Sequence, residues 1–115
     1  MYVRPALDRI RILVDNVRNN VYYEHMIKSF VHKGLKELFT EGKTKRIGAD
    51  FLERCGMILN ALDYAQTPQD MNLPMFAFHG LQGNPKRYSV KVNKNWRLTF
   101  GWDNGAIDVD LEDYH

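Results

Sequence analysis

The sequence predicts an α+β domain: two helices packed on one face of a mainly antiparallel sheet, in the order β-α-α-β-β-β-β. Three observations carry that expectation. Two apolar patterns of helical spacing follow one another in the first half, at Leu35, Leu38 and Phe39 and again from Phe51 to Leu62. The second half alternates with a period of two through Tyr88, Val90 and Val92, then Trp96, Leu98, Phe100 and Trp102, then Ile107, Val109 and Leu111. Turn signals divide these runs, the strongest being Asp103-Asn104-Gly105. Regular alternation means one covered sheet face and one wet face.

The elements follow in order. In residues 1–25, Leu7, Ile10, Leu13, Val14 and Val17 recur at helical spacing, and Pro5 suits a first turn. A helix over about 6–18 is predicted on that pattern. The extension is either this added helix, packing on the domain or a partner, or residues upstream of a start at Met26. Ile27 to Val31 predicts a short strand. The helix of Leu35, Leu38 and Phe39 stops at Gly42. Lys43, Lys45 and Arg46 make the next loop basic. Asp50 is the expected N-cap of the second helix. Phe51, Leu52, Cys55, Ile58, Leu59 and Leu62 form its apolar face, with Cys55 buried. Gln66 to Leu73 reads as loop and Met75 to Leu81 as strand, with Gly80, Gly83, Asn84 and Pro85 turning the chain. In the strands beyond, Trp96, Leu98 and Phe100 face the helices, while Ser89, Lys91 and Arg97 face solvent. A regular last strand puts Tyr114 on the face of Glu112, and Asp113 and His115 on the other.

Composition narrows the classes. At 115 residues the chain is one domain, since a split would leave too little core. No apolar run approaches the roughly 20 residues that span a bilayer. The first 25 residues carry charges rather than a continuous apolar region, so no signal peptide is expected. A lone Cys55 excludes an internal disulfide and a cysteine-based zinc site, and fits a reducing cytoplasm. Net charge is only +2, but its distribution is uneven. Between Gln82 and Trp102 stand five bases and no acid; between Asp103 and Asp113 stand five acids and no base. Cross-strand pairing explains this at a few tenths of a kcal/mol per pair, roughly. A basic groove for phosphates explains it equally well.

The candidate chemistry lies near the end of the chain. Asp113, Tyr114 and His115 follow one another, and Arg97 stands on a nearby strand. An acid, a phenol, an imidazole and a guanidinium suit phosphoryl transfer on RNA. Histidine moves protons near neutral pH, and arginine holds a phosphate through two parallel hydrogen bonds. A chain ending at this histidine is also expected to set a free carboxylate beside the ring. Each residue has a plainer reading: a solvated terminal imidazole, an exposed acid, an aromatic capping the core, and for Arg97 an ion pair with Asp108 or Asp110.

Four segments carry a resemblance: Met26-Ile27-Lys28-Ser29-Phe30, His32-Lys33-Gly34-Leu35, Asn95-Trp96-Arg97-Leu98-Thr99-Phe100 and Glu112-Asp113-Tyr114-His115. In that order they make residues 26–115 resemble HigB-type toxins of the RelE/ParE superfamily. The resemblance implies a RelE-like fold and a ribosome-dependent endoribonuclease that cuts translated mRNA by general acid–base catalysis, without metal or cofactor. It implies a HigA-like helix-turn-helix antitoxin, operator DNA reached through that antitoxin, no membrane, and a cytoplasmic location. It implies a catalytic set of His115, Asp113, Tyr114, Arg97 and His79. Lys86, Arg87, Lys91 and Gln82 are then expected along the RNA, and Lys33, Lys36, Lys43, Lys45 and Arg46 against the ribosome. Gln82 departs from the pattern, because better-known members have a lysine there; Lys86 or Arg87 can reach in instead. Two rival readings remain: a non-enzymatic ParE-like inhibitor of DNA gyrase, and a decayed toxin acting only as corepressor.

Overall fold

In the computed structural model the described residues are 12–15, 20–23 and 27–114. Strands β1 (Ile12–Asp15) and β2 (Asn20–Tyr23) pair antiparallel, Ile12 opposite Tyr23 and Asp15 opposite Asn20. The predicted helix over 6–18 is therefore corrected at Ile12–Asp15; residues 6–11 and 16–18 lie outside the described residues. Ile12, Val14, Val21, Tyr22 and Tyr23 are β-branched or aromatic, and Asn16, Asn19 and Asn20 lie between the two apolar runs. Strand pairing outweighs an apolar spacing that fits a helix.

The segment 27–31 is not a regular strand. It makes one parallel bridge, Phe30 with Val109, through Val31 N–H to Val109 O (2.8 Å) and Val109 N–H to Ser29 O (3.1 Å). A bulge opposite interrupts the pairing, which resumes where Lys28 N–H donates to Ala106 O at 2.8 Å. Asp108 adopts φ 50°, and its N–H turns to the Ser29 hydroxyl at 2.8 Å. The Asp63 carboxylate accepts the Ile27 N–H at 3.2 Å and ties this segment to the second helix.

Helix α1 (Lys33–Glu41) starts at His32, whose Nδ1 accepts the Leu35 N–H at 3.2 Å. It ends at Gly42, which takes the left-handed φ of 79° that glycine tolerates and donates to Leu38 O. Helix α2 (Ala49–Tyr64) begins after Gly48, so Asp50 belongs to the first turn and is not the cap. There its charge still complements the helix dipole. Cys55, Ile58, Leu59 and Leu62 are buried as their spacing requires. Burial pushes the Cys55 thiol up to about 11, so it is an inert core group at neutral pH. The predicted loop after α2 holds a short 3₁₀ helix, Pro68–Met71, whose Met71 is fully buried. No helix of the described residues is long and apolar enough to cross a membrane.

The sheet runs β3 (His79–Leu81), β4 (Arg87–Lys91), β5 (Trp96–Trp102) and β6 (Ala106–Asp113), antiparallel throughout and in chain order. Val90, Leu98, Phe100 and Val109 join Leu35, Leu38, Ile58, Leu59 and Leu62 in one core. Strand β3 is shorter than expected. Met75 and Ala77 take φ of 70° and 46°, which turns Phe76 into the core and leaves Met75 84% exposed. The Asp103-Asn104-Gly105 turn forms as predicted, with Asp103 N–H donating to Gly105 O at 2.9 Å.

The far face of the sheet is drier than its alternation implies. Ser89 and Thr99 are both buried, contrary to expectation for Ser89. Arg87 reaches over Thr99: its Nη2 donates to the Thr99 hydroxyl at 3.1 Å and to Asp108 O at 2.9 Å. Thr99 in turn donates to Glu112 Oε2 at 2.5 Å.

Candidate functional site

Register brings the polar residues of this far face into rows. One row runs His79, Ser89, Thr99, Asp110 across β3 to β6; the next runs Lys91, Arg97, Glu112. Residues paired across antiparallel strands share a face, as do residues two apart on one strand. His79, Lys91, Arg97 and Glu112 therefore lie on one surface, His79 and Lys91 exposed and Arg97 half-buried.

Arg97 is fixed from two sides. Its Nη1 donates to Asn93 O at 3.0 Å and to Trp96 O at 3.3 Å, and its guanidinium carbon lies 5.7 Å from the centre of the Tyr114 ring. Tyr114 is itself held by its N–H on Asn95 O. A cation over an aromatic face is attracted by the ring quadrupole. The arrangement gives one rigid cation, with Nε and Nη2 as the groups a phosphate would take. An ion pair of Arg97 with Asp108 or Asp110 does not form. Its neighbours in register are Lys91 and Glu112, Asp110 stands opposite Thr99, and the Asp108 carboxylate accepts from Ser29.

Tyr114 shares the face of Arg97 as parity requires. Asp113 is exposed opposite Trp96, on the other parity. His115 lies outside the described residues. Gln82 is exposed in the turn after β3. Lys86 folds back towards that strand: a Cβ on Gly80 would meet its Nζ at 2.9 Å, and the ammonium stands 5.9 Å from the Tyr88 ring centre. A cation therefore lies beside the residue next to His79, close to where Gln82 brings none. Arg87 is occupied by Thr99 and Asp108 O. It lines a cleft of about 120 Å³ with Lys86, Tyr88, Gly101 and Trp102.

Lys33, Lys36, Lys43, Lys45 and Arg46 are all exposed, on α1 and the loop after it. They belong to the helical layer, so the fold does not join them to the His79–Arg97 surface. Arg46 pairs with Glu37 at 3.2 Å. The Thr44 hydroxyl and Arg46 hold the Glu37 carboxyl below the usual range. Among the described residues no three His, Cys, Asp or Glu side chains cluster as metal ligands.

Two members of the far-face network, Thr99 and Glu112, were not singled out by sequence reasoning. The signal was present: Arg87, Thr99 and Glu112 occupy polar positions of three adjoining strands. A hydrogen-bonded chain across strands requires their register, and register is not written in any one strand.

Two helices over a four-stranded antiparallel sheet, with an arginine and a histidine on the far face, define a small α+β domain. Comparison with known proteins agrees and goes further. Residues 28–115 match the family model of HigB-like toxins, described as RelE-like toxins of type II toxin–antitoxin systems. The chain is 42% identical over 92 residues to Endoribonuclease HigB of Proteus vulgaris, an overlap of 78% of this chain and 100% of that protein. It is 34% identical over 91 residues to Toxin HigB-1 of Vibrio cholerae serotype O1 (strain ATCC 39315 / El Tor Inaba N16961), covering 76% and 96% respectively. The chain belongs to the HigB-like toxin family.

Proposed function

We propose that this chain is the toxin of a type II toxin–antitoxin pair and acts as a ribosome-dependent endoribonuclease on translated mRNA. The observation that carries the reading is Arg97, held by two carbonyls and the Tyr114 ring on the same open sheet face as His79 and Lys91. The name of the Proteus vulgaris relative supports it.

The reaction needs three services. A base takes the proton of the ribose 2′-hydroxyl, and the 2′-oxygen attacks the phosphorus. A cation stabilises the charge gathering on the phosphate oxygens. An acid gives a proton to the departing 5′-oxygen, leaving a 2′,3′-cyclic phosphate. Arg97 serves as the cation, assisted by Lys86 where Gln82 lacks charge. His79, Asp113 and His115 are the proton-transfer candidates, and Tyr114 holds Arg97 in place. Lys91 and Arg87 lie along the RNA path. Lys33, Lys36, Lys43, Lys45 and Arg46 dock on ribosomal RNA from the helical layer. The protein partner is a HigA-like helix-turn-helix antitoxin, through which the pair reaches operator DNA, in the cytoplasm.

The test is cleavage of a defined mRNA on purified, programmed ribosomes. Arg97→Ala is expected to lower the single-turnover rate by about 100-fold or more while circular dichroism stays unchanged. Parental-rate cleavage by a folded Arg97→Ala removes Arg97 from the mechanism. Gyrase-dependent DNA damage without mRNA cleavage by the parental chain would replace the reading with a ParE-like one.

A further inference from the structure

Arg54 reaches from α2 to the loop that leads into β3 and to the end of β4. Its Nη2 donates to Met75 O at 2.5 Å and to Lys91 O at 2.9 Å, and its Nε approaches Lys91 O at 3.3 Å. The guanidinium also lies over the Phe76 ring, 5.1 Å from its centre. Beneath this clamp Lys91 N–H donates to Phe76 O at 2.7 Å. One side chain on a rigid helix thus fastens the loop before β3 to the last residue of β4.

Both fastened points lead directly to site residues. From Phe76 the chain passes through Ala77, at φ 46°, and Phe78, stacked on Tyr88 at 5.7 Å, into His79. The loop carries two non-glycine residues at left-handed φ, Met75 and Ala77. Such backbone persists only where its surroundings hold it. On the other side, Lys91 is the register partner of Arg97, so its carbonyl marks the end of β4 beside the proposed phosphate cation. A lysine cannot replace this clamp, because an ammonium is one point charge without the planar fork that spans two carbonyls and stacks on a ring.

We infer that Arg54 is a positioning residue: it sets His79 relative to Arg97 by clamping Met75 and Lys91, and touches no RNA itself. The inference rests on the reading of His79 and Arg97 given above. Proximity arguments give the expected scale, since a misplacement of about 1 Å can cost on the order of 100-fold in rate.

The experiment uses the full chain and its Arg54→Ala and Arg54→Lys variants. Single-turnover cleavage on programmed ribosomes is measured with amide hydrogen exchange across the molecule. Arg54→Ala is expected to lose about 10- to 100-fold in kcat with KM nearly unchanged. Its exchange should accelerate selectively over residues 76–81, with the α2 core still protected. Arg54→Lys should fall between the two. Loss in KM alone would make Arg54 an RNA contact and overturn the inference. Parental kcat in Arg54→Ala, or unaltered exchange over 76–81, would also overturn it. Should Arg54→Ala fail to fold, Arg54→Lys decides: a folded variant with parental kcat overturns the inference, and a kcat loss at parental KM upholds it. A parental chain that cuts no mRNA overturns the endoribonuclease reading and takes this inference with it, whereas parental cleavage indifferent to Arg54 overturns the inference alone.

Discussion

The Thr99 hydroxyl joins two charges across three strands. It accepts from Arg87 and donates to Glu112 while fully buried. A buried hydroxyl in such a chain matters more through what its loss leaves unpaired than through its own bonds. Thr99→Val keeps the shape and removes both bonds. It is expected to cost about 1 to 3 kcal/mol, read as a lower urea midpoint with an unchanged slope. An unshifted midpoint would mean that water takes over both partners. Side-chain direction at this scale was legible: alternation put Arg97, Lys91 and Tyr114 on one face, where they are. Burial was not. Ser89 reads as a wet position and is buried, in one row with the equally buried Thr99. Likewise the partner of Arg97 turned on register: the shift between Thr99 and Gly101 sets Glu112 opposite Arg97 and Asp110 opposite Thr99.

Helix α1 is nine residues long, too short to persist by propensity, so its ends and its packing hold it. Gly34 in its first turn shows how tight that packing is. A Cβ there would meet His32 Cε1 at 2.8 Å, Arg46 Cβ at 2.9 Å and Ile47 Cγ1 at 3.0 Å. Alanine gains about 1 kcal/mol over glycine in an exposed helix. Here the clash reverses the sign, and Gly34→Ala is expected to destabilise by about 1 to 3 kcal/mol. A thermal melt at or above the parental temperature would show that the loop of Arg46 and Ile47 yields freely. Both helices were readable because each keeps a 3.6-residue stripe and α1 ends at a glycine. The start of β3 was not: alternation from Met75 onward fits a strand, but Arg54 and the burial of Phe76 bend it into a loop. That override comes from a residue more than twenty positions earlier in the chain.

At the scale of the molecule, the match to the HigB-like family begins at residue 28, and among the described residues one core spans α1 to β6. Residues 26–115 alone are therefore expected to fold and to match the full chain in growth arrest and in cleavage on ribosomes. Arrest much weaker than that of the full chain, at equal expression, would make the first 25 residues part of the function. The pattern at Ile12–Asp15 was misread because an apolar spacing compatible with a helix is equally open to a strand when β-branched residues supply it.

The bridge between Phe30 and Val109 bears on how the molecule meets other chains. Strand β6 is eight residues long and ends the sheet, so bare it would present a row of unsatisfied N–H and C=O groups. The backbone of residues 28–32 occupies much of that row, with Lys28 N–H on Ala106 O, and both Val31 and His32 N–H on Val109 O. The opposite border is β3, three residues in length. A sheet sealed on its long side and cut short on the other gives a passing strand little to template upon, which favours recognition through side chains over recognition through added strands.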